Sequence, residues 1–185
     1  MNVILTGMRG TGKSSIGSAL AERLAFRFVD TDEVIEGLAG QRIAEIVAQY
    51  GWSHFRDLER QAVTQCAAVD RQVIAVGGGT LMDEVNTEHL KAQGVVVLLL
   101  CDLSTLQRRI RGEDNRPSLT GQGSAVAELA NVWETRRARY HAVADITFDV
   151  SEETEDFTQD TLRKAAQVEA LLQRHGFSVT QIEGR

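Results

Sequence analysis

The run Gly7-Met8-Arg9-Gly10-Thr11-Gly12-Lys13-Ser14 decides how this chain is read. It fits the pattern GxxxxGK[ST], and it sits between a short apolar run, Val3 to Leu5, and a stretch of helical periodicity from Lys13 to Leu24. A strand, a glycine turn and a helix in that order make a cradle for phosphate. The glycines let successive backbone N–H groups turn inward at the positive end of the helix. Lys13 then reaches the β- and γ-phosphates, and the Ser14 hydroxyl is placed to ligate Mg²⁺. At ordinary residue frequencies a chance match in a chain of 185 residues is about one in a hundred. The expected nucleotide-binding set is therefore Gly7, Gly10, Thr11, Gly12, Lys13, Ser14 and Ser15, with ATP or GTP as the ligand.

Outward from this loop, short runs of branched apolar residues alternate with longer helical stretches, the pattern of βαβ units and a parallel sheet covered on both faces. Further strands are expected at Phe26 to Val29, Val73 to Val76, Val95 to Leu100 and Ile146 to Val150. Helices are expected near 33–38, 43–50 and 54–69, from Ser104 as N-cap to Arg111, at about 126–140 and at about 157–175. Residues 112–124 lose the pattern and hold the single proline, Pro117; a loop of that length in a compact domain reads as a lid.

The length and an even apolar-to-charged balance fit one soluble domain over residues 1–176, with a tail at 177–185. Ile182-Glu183-Gly184-Arg185 reads either as a protease-recognition tag or as a natural frayed end. A formal charge of −6 makes a nucleic-acid partner a poor expectation. The longest apolar run, Val95 to Cys101, is too short for a membrane span, and no signal peptide precedes the first strand. Cys66 and Cys101 lack disulfide or zinc spacing, so both are expected to be inert buried thiols in a reducing, cytoplasmic setting.

Three stretches are candidates for the phosphate acceptor. Asp30-Thr31-Asp32 follows the second strand at the carboxyl edge of the sheet, where ligands of open α/β folds bind; the alternative is an Asp N-cap. Arg56 and Glu59 lie three apart on a helix, either as site residues or as an exposed ion pair. Gly77-Gly78-Gly79 follows the third strand, and three residues without side chains suit close approach of backbone to ligand. Arg116 in the lid and Arg136, Arg137 and Arg139 ahead of Tyr140 supply forks for carboxylate or phosphate. Trp52 and Trp133 read as packing residues near the pocket mouth.

In sequence and spacing, GMRGTGKS, VDTDEVIE, HFRDLER, VGGGT, NRPSL and RRARYHAVADITF together resemble the shikimate kinases, over nearly the whole chain to about Val150. The resemblance implies an α/β fold of P-loop NTPase type: a three-layer α/β/α sandwich with a central five-stranded parallel sheet, a lid and an acceptor-binding helical region at about 32–60. It implies an ATP-dependent phosphotransferase that moves the γ-phosphate to the 3-hydroxyl of shikimate, giving shikimate 3-phosphate and ADP in the pathway to aromatic amino acids. Lys13, Asp32 and Arg116 are then the catalytic residues, with Asp32 on the ring hydroxyls. Ser14 and, through water, Asp30 serve Mg²⁺. Arg56 and Arg136 clamp the shikimate carboxylate, Glu59 fixes Arg56, and Gly77, Gly78 and Gly79 line the ring. Arg109 stacks on adenine and Arg116 steadies the transferring group. Arg136 is chosen because it stands four residues before Tyr140, with Arg137 and Arg139 as alternatives. A monomer acting on small molecules is implied. A kinase for another polyol acid, such as gluconate, and a nucleotide-binding interaction protein without activity are the rival readings. Because both expected substrates are anions, Lys13, Arg56, Arg109, Arg116 and Arg136 are expected to converge on one cleft while the excess acid lies elsewhere.

Overall fold

The computed structural model describes residues 1–110 and 125–177. Five strands, β1 (Asn2–Thr6), β2 (Arg27–Asp30), β3 (Gln72–Ala75), β4 (Gly94–Leu100) and β5 (Ile146–Asp149), form one sheet in the order β2-β3-β1-β4-β5. All four pairings are parallel, with Ile4 opposite Ile74 on one side and Val96 on the other. The central strands are apolar in succession because both of their faces are covered, and Val3, Ile4, Leu5, Val73 and Ile74 are fully buried.

Helices α1 (Lys13–Leu24) and α7 (Phe157–Arg174) cover one face, packing Leu20, Val168 and Leu172 against Leu5 and Leu99. The other face carries α3 (Ile43–Ala67), α4 (Glu84–Gln93) and α6 (Ala125–Val143), which bury Val63, Leu90 and Val143 on Ile4, Ile74 and Val96. Helix α5 (Leu103–Ile110) leans on α6 through Leu106 and Leu129. Helix α2 (Thr31–Ala39) and the first half of α3 enclose a separate apolar cluster of Ile35, Ile46, Phe55 and Leu58. That cluster makes the expected 32–60 region a rigid wall beside the sheet.

Several details depart from the sequence reading. The expected break near residue 51 is a kink inside one element, with Gly51 at φ 80° and ψ 173°. The turn Thr80–Met82 and α4 were not anticipated; Glu84–Gln93 is mostly polar and presents only Asn86, Thr87 and Leu90 to the interior. Asp102, not Ser104, caps α5, since its carboxylate accepts from the Thr105 N–H at 2.8 Å while the Ser104 hydroxyl also donates to it. Cys66 is buried as expected, but Cys101 is only half-buried; both thiols are free, and burial pushes both above the ordinary range. Trp133 stacks on Tyr140 with centroids 6.3 Å apart, whereas Trp52 reaches the cleft described below. The lid with Arg116 and Pro117, and the tail beyond 177, lie outside the described residues.

Candidate active site

The loops that follow β1, β2 and β3 at the carboxyl edge of the sheet open toward one cleft of about 430 Å³. At its base, Gly7, Gly10 and Gly12 take φ of 142°, 83° and 83°, conformations that residues with a Cβ rarely adopt. The backbone of Gly7 is also pressed close, since a Cβ there would come within 2.4 Å of the Leu99 carbonyl oxygen. Gly12 caps α1 without a side chain, leaving the first N–H groups of the helix aimed into the loop. Lys13 Nζ donates to the carbonyls of Gly7 and Met8 at 3.1 and 3.0 Å, so its ammonium lies over the cradle. Thr11 ties the loop to itself by donating to the Met8 carbonyl at 2.9 Å.

Asp30 resolves both of its sequence readings at once. Its Oδ1 caps α2 by accepting from the Asp32 N–H at 3.0 Å, and its Oδ2 accepts from the Ser14 hydroxyl at 2.7 Å. One carboxylate therefore closes a helix and joins the phosphate loop to the second strand. The hydroxyl and carboxylate are hard oxygen donors side by side, a pair that fits Mg²⁺ brought in with nucleotide phosphates and water. Among the described residues no cluster of three or more His, Cys, Asp or Glu side chains is placed to hold a metal ion.

Above the base, Asp32, Arg56, Glu59, Arg136 and the glycine run surround the cleft. Glu59, 1 % exposed, accepts from Arg56 Nη1 at 2.6 Å with one oxygen and from the Thr80 hydroxyl at 2.7 Å with the other. The Arg56 guanidinium also lies 5.7 and 5.1 Å from the Trp52 and Phe55 ring centroids, so its plane is held on several sides. The pair is thus a half-buried built feature rather than an exposed surface ion pair. The glycine run is suspended at three points: Gly77 N–H donates to Thr31 Oγ1 at 3.2 Å, Tyr140 OH donates to the Gly78 carbonyl, and Met82 N–H donates to the Gly79 carbonyl at 3.0 Å. Side chains would collide here, since a Cβ on Gly79 would stand 2.9 Å from Arg56 Nη2. Burial raises the Tyr140 hydroxyl above its ordinary range, and the neighbouring Arg136 opposes that rise.

The three arginines of α6 separate cleanly. Arg136 lines the cleft, with Nη1 3.7 Å from where a Gly78 Cβ would stand. Arg137 pairs with Glu134 at 3.0 Å on the exposed side, and Arg139 turns away to donate to the Leu81 carbonyl at 3.0 Å and Thr87 Oγ1 at 3.2 Å. Arg109, expected at the same cleft, does not line it, and instead donates to the Gly10 carbonyl at 2.9 Å, the Val150 carbonyl at 3.3 Å and Glu153 at 2.9 Å. Arg108 and Arg109 together hold the Glu153 carboxyl below its usual range.

Arg9 and Glu128 line the cleft although the sequence reading gave them no role there, and Trp52 lines it near where it was expected. Arg9 could have been flagged as a cation inside the phosphate loop, and Glu128 as the third member of a face that repeats every four residues with Val132 and Arg136. Glu33, Glu36 and Glu128 join the expected Asp30, Asp32 and Glu59 at the cleft, so the excess acid does not all lie elsewhere. Carboxylates hold and aim several of the cleft's cationic and hydroxyl groups.

Comparison with known proteins agrees with this geometry. A family profile described as shikimate kinase matches residues 9–167. The shikimate kinase of Syntrophus aciditrophicus is 38 % identical over 175 residues, covering 88 % of this chain and 90 % of its own. That of Synechococcus elongatus is 40 % identical over 157 residues, covering 84 % and 81 %. Among solved structures, shikimate kinase from Acinetobacter baumannii in complex with shikimate superposes with a TM-score of 0.84 at 29 % identity, covering 96 % of this chain and 95 % of that one. A gluconokinase from Sinorhizobium meliloti shares the fold at a TM-score of 0.53, but with 17 % identity it speaks for the architecture alone. With the carboxylate-held arginine, the glycine-lined cleft and the phosphate cradle from Arg9 onward inside the matched region, the chain belongs to the shikimate kinase family, ATP-dependent kinases acting on a hydroxyl of shikimate.

Proposed function

We propose that this chain transfers the γ-phosphate of ATP to the 3-hydroxyl of shikimate, with the acceptor lying between the glycine run and the Arg56–Glu59 pair. The observation that carries the reading is the convergence of Asp32, Arg56 and Arg136 on one cleft that opens at the phosphate loop. Arg56 and Arg136 clamp the acceptor carboxylate, and Gly77, Gly78 and Gly79 let the ring approach the backbone. Asp32 takes the proton from the attacking hydroxyl as its oxygen bonds to the γ-phosphorus and the bond to ADP breaks. Phosphoryl transfer runs through a loose transition state, so positioning and charge do most of the work. Lys13 neutralises the β- and γ-phosphates, Arg116 adds positive charge from the 112–124 segment, and Arg109 packs against the base. Ser14 and, through water, Asp30 would hold Mg²⁺, and that ion would supply positive charge to the phosphate oxygens. The gathering of Asp32, Arg56 and Arg136 within one chain supports a monomer, and the free thiols support a reducing, cytoplasmic setting.

Asp32→Asn tests the assignment. A positioned base contributes about 10²- to 10⁴-fold, so turnover with shikimate should fall by that factor while ATP affinity stays near normal. ADP release measured with shikimate and with gluconate as acceptors reads both outcomes. Near-normal turnover of the variant would remove Asp32 from the chemistry, and preference for gluconate would overturn the acceptor.

A further inference from the structure

We propose that Thr80 is a positioning residue for acceptor recognition, acting through Glu59 on Arg56. The inference rests on the reading that Arg56 holds the acceptor carboxylate. Thr80 is fully buried, and its hydroxyl donates to Glu59 Oε1 at 2.7 Å while Arg56 Nη1 donates to Oε2 at 2.6 Å. A carboxylate with one partner swings about its terminal torsion, which is broad and poorly defined. With a partner on each oxygen, its plane is fixed, and the direction of the Arg56 fork is fixed with it.

Thr80 is itself firmly placed. Its N–H donates to the Gly77 carbonyl at 3.0 Å, and its carbonyl accepts from Asn86 Nδ2 at 3.2 Å. The hydroxyl thus stands on a turn anchored to the glycine run on one side and to α4 on the other. Position 80 closes the glycine run, so its hydroxyl measures the distance between that backbone and the Glu59 helix. Gly77 lies at the centre, where an added Cβ would meet Thr80 Oγ1 at 3.1 Å and Glu59 Oε1 at 3.5 Å. Nothing but a small hydroxyl-bearing side chain fills that position and also donates to Glu59.

Thr80→Val keeps the shape and removes the donor, leaving a buried carboxylate oxygen unpartnered. The KM for shikimate should rise about tenfold while kcat and the KM for ATP stay within about twofold. Thr80→Ser should restore the wild-type acceptor KM, and in an Arg56→Ala background Thr80→Val should add less than about a twofold further rise. A Thr80→Val enzyme with unchanged acceptor KM, a Ser variant as impaired as Val, or an undiminished effect in the Arg56→Ala background would each overturn the proposal. If Thr80→Val does not fold, Thr80→Ala compared with Thr80→Ser reads the same split. Arg56→Ala alone separates the two levels. An unchanged acceptor KM there would remove the Arg56 assignment, whereas a raised KM with an inert Thr80 would remove only the Thr80 role.

Discussion

Replacing Gly79 with alanine should weaken acceptor binding without weakening the fold. The backbone at Gly79 has φ −105° and ψ −8°, which an alanine accepts without strain. All the cost therefore falls on what the new methyl touches. It would stand 2.9 Å from Arg56 Nη2 and 3.2 Å from Nη1, against an ordinary contact of about 3.5 Å or more, so the guanidinium must give way by about 0.5 Å. It cannot do so freely, because Glu59 grips it at 2.6 Å and the Trp52 and Phe55 rings flank it. A charge-assisted hydrogen bond is worth roughly 1.5–3 kcal/mol. Losing about half of one such bond to the acceptor carboxylate costs about 0.8–1.5 kcal/mol, or about a 4- to 12-fold rise in the KM for shikimate. The unfolded chain, meanwhile, loses freedom when glycine becomes alanine, which stabilises the fold by about 0.4–1 kcal/mol. Kinetics followed by ADP release, with each substrate varied in turn, and a thermal melt of the same protein read the two effects separately. An unchanged KM for shikimate, an equal rise in the KM for ATP, or a fall of several degrees in melting temperature would refute the reasoning.

The same comparison has the opposite outcome at Gly7, where φ is 142° and an added methyl would stand 2.4 Å from a backbone oxygen that cannot rotate away. Gly7→Ala should cost at least about 3 kcal/mol from strain and overpacking, lowering the melting temperature by about 6–12 °C and abolishing nucleotide binding together. Acid should act elsewhere, on the buried Asp160–Lys164 pair of α7. Burial raises the Asp160 carboxyl, but the bonds from Lys164 and Arg163 outweigh it and hold it below its usual range. Its contribution is complete above the unfolded value near ~3.9 and disappears as pH falls through the lower folded one. Asp160→Asn should therefore cost about 3 kcal/mol in urea unfolding at pH 7, and the cost should shrink progressively as pH falls below the unfolded value of about 3.9; a gap that stays constant across that fall would exclude the ion pair as its source.

The parts of the site legible in the sequence are those whose chemistry depends on residue type and local spacing. The phosphate loop is one, because only glycines tolerate φ of 142°, 83° and 83° in an eight-residue turn. Asp30 was visible too, but as a choice between cap and ligand; nothing in a linear reading says that the two oxygens of one carboxylate serve both ends. Helix α4 escaped because its sequence, EVNTEHLKAQ, buries two polar residues and one leucine, so no apolar stripe announces it. Which of Arg136, Arg137 and Arg139 lines the cleft is set by rotation about α6: residues one and three positions along point to other partners. The Thr80–Glu59 bond joins residues 21 apart, across a strand and a turn, and no local pattern encodes it.

The acidic lining of the cleft follows from the same geometry and changes what the net charge of −6 means. A cleft lined only by lysines and arginines would bind anions tightly in many poses, since bare cations on long stems do not fix direction. Here Glu59 takes one fork of Arg56 and leaves Nη2 beside Gly79, while Asp30 fixes the Ser14 hydroxyl. Each carboxylate removes some raw attraction and returns it as orientation. Transfer depends on a hydroxyl meeting a phosphorus in line, and a misplacement of about 1 Å can cost about 10²-fold. Binding two anions in a net acidic chain is therefore no contradiction, because a cation such as Arg56 acts where a carboxylate has aimed it. The weaker attraction is the condition for a single productive pose.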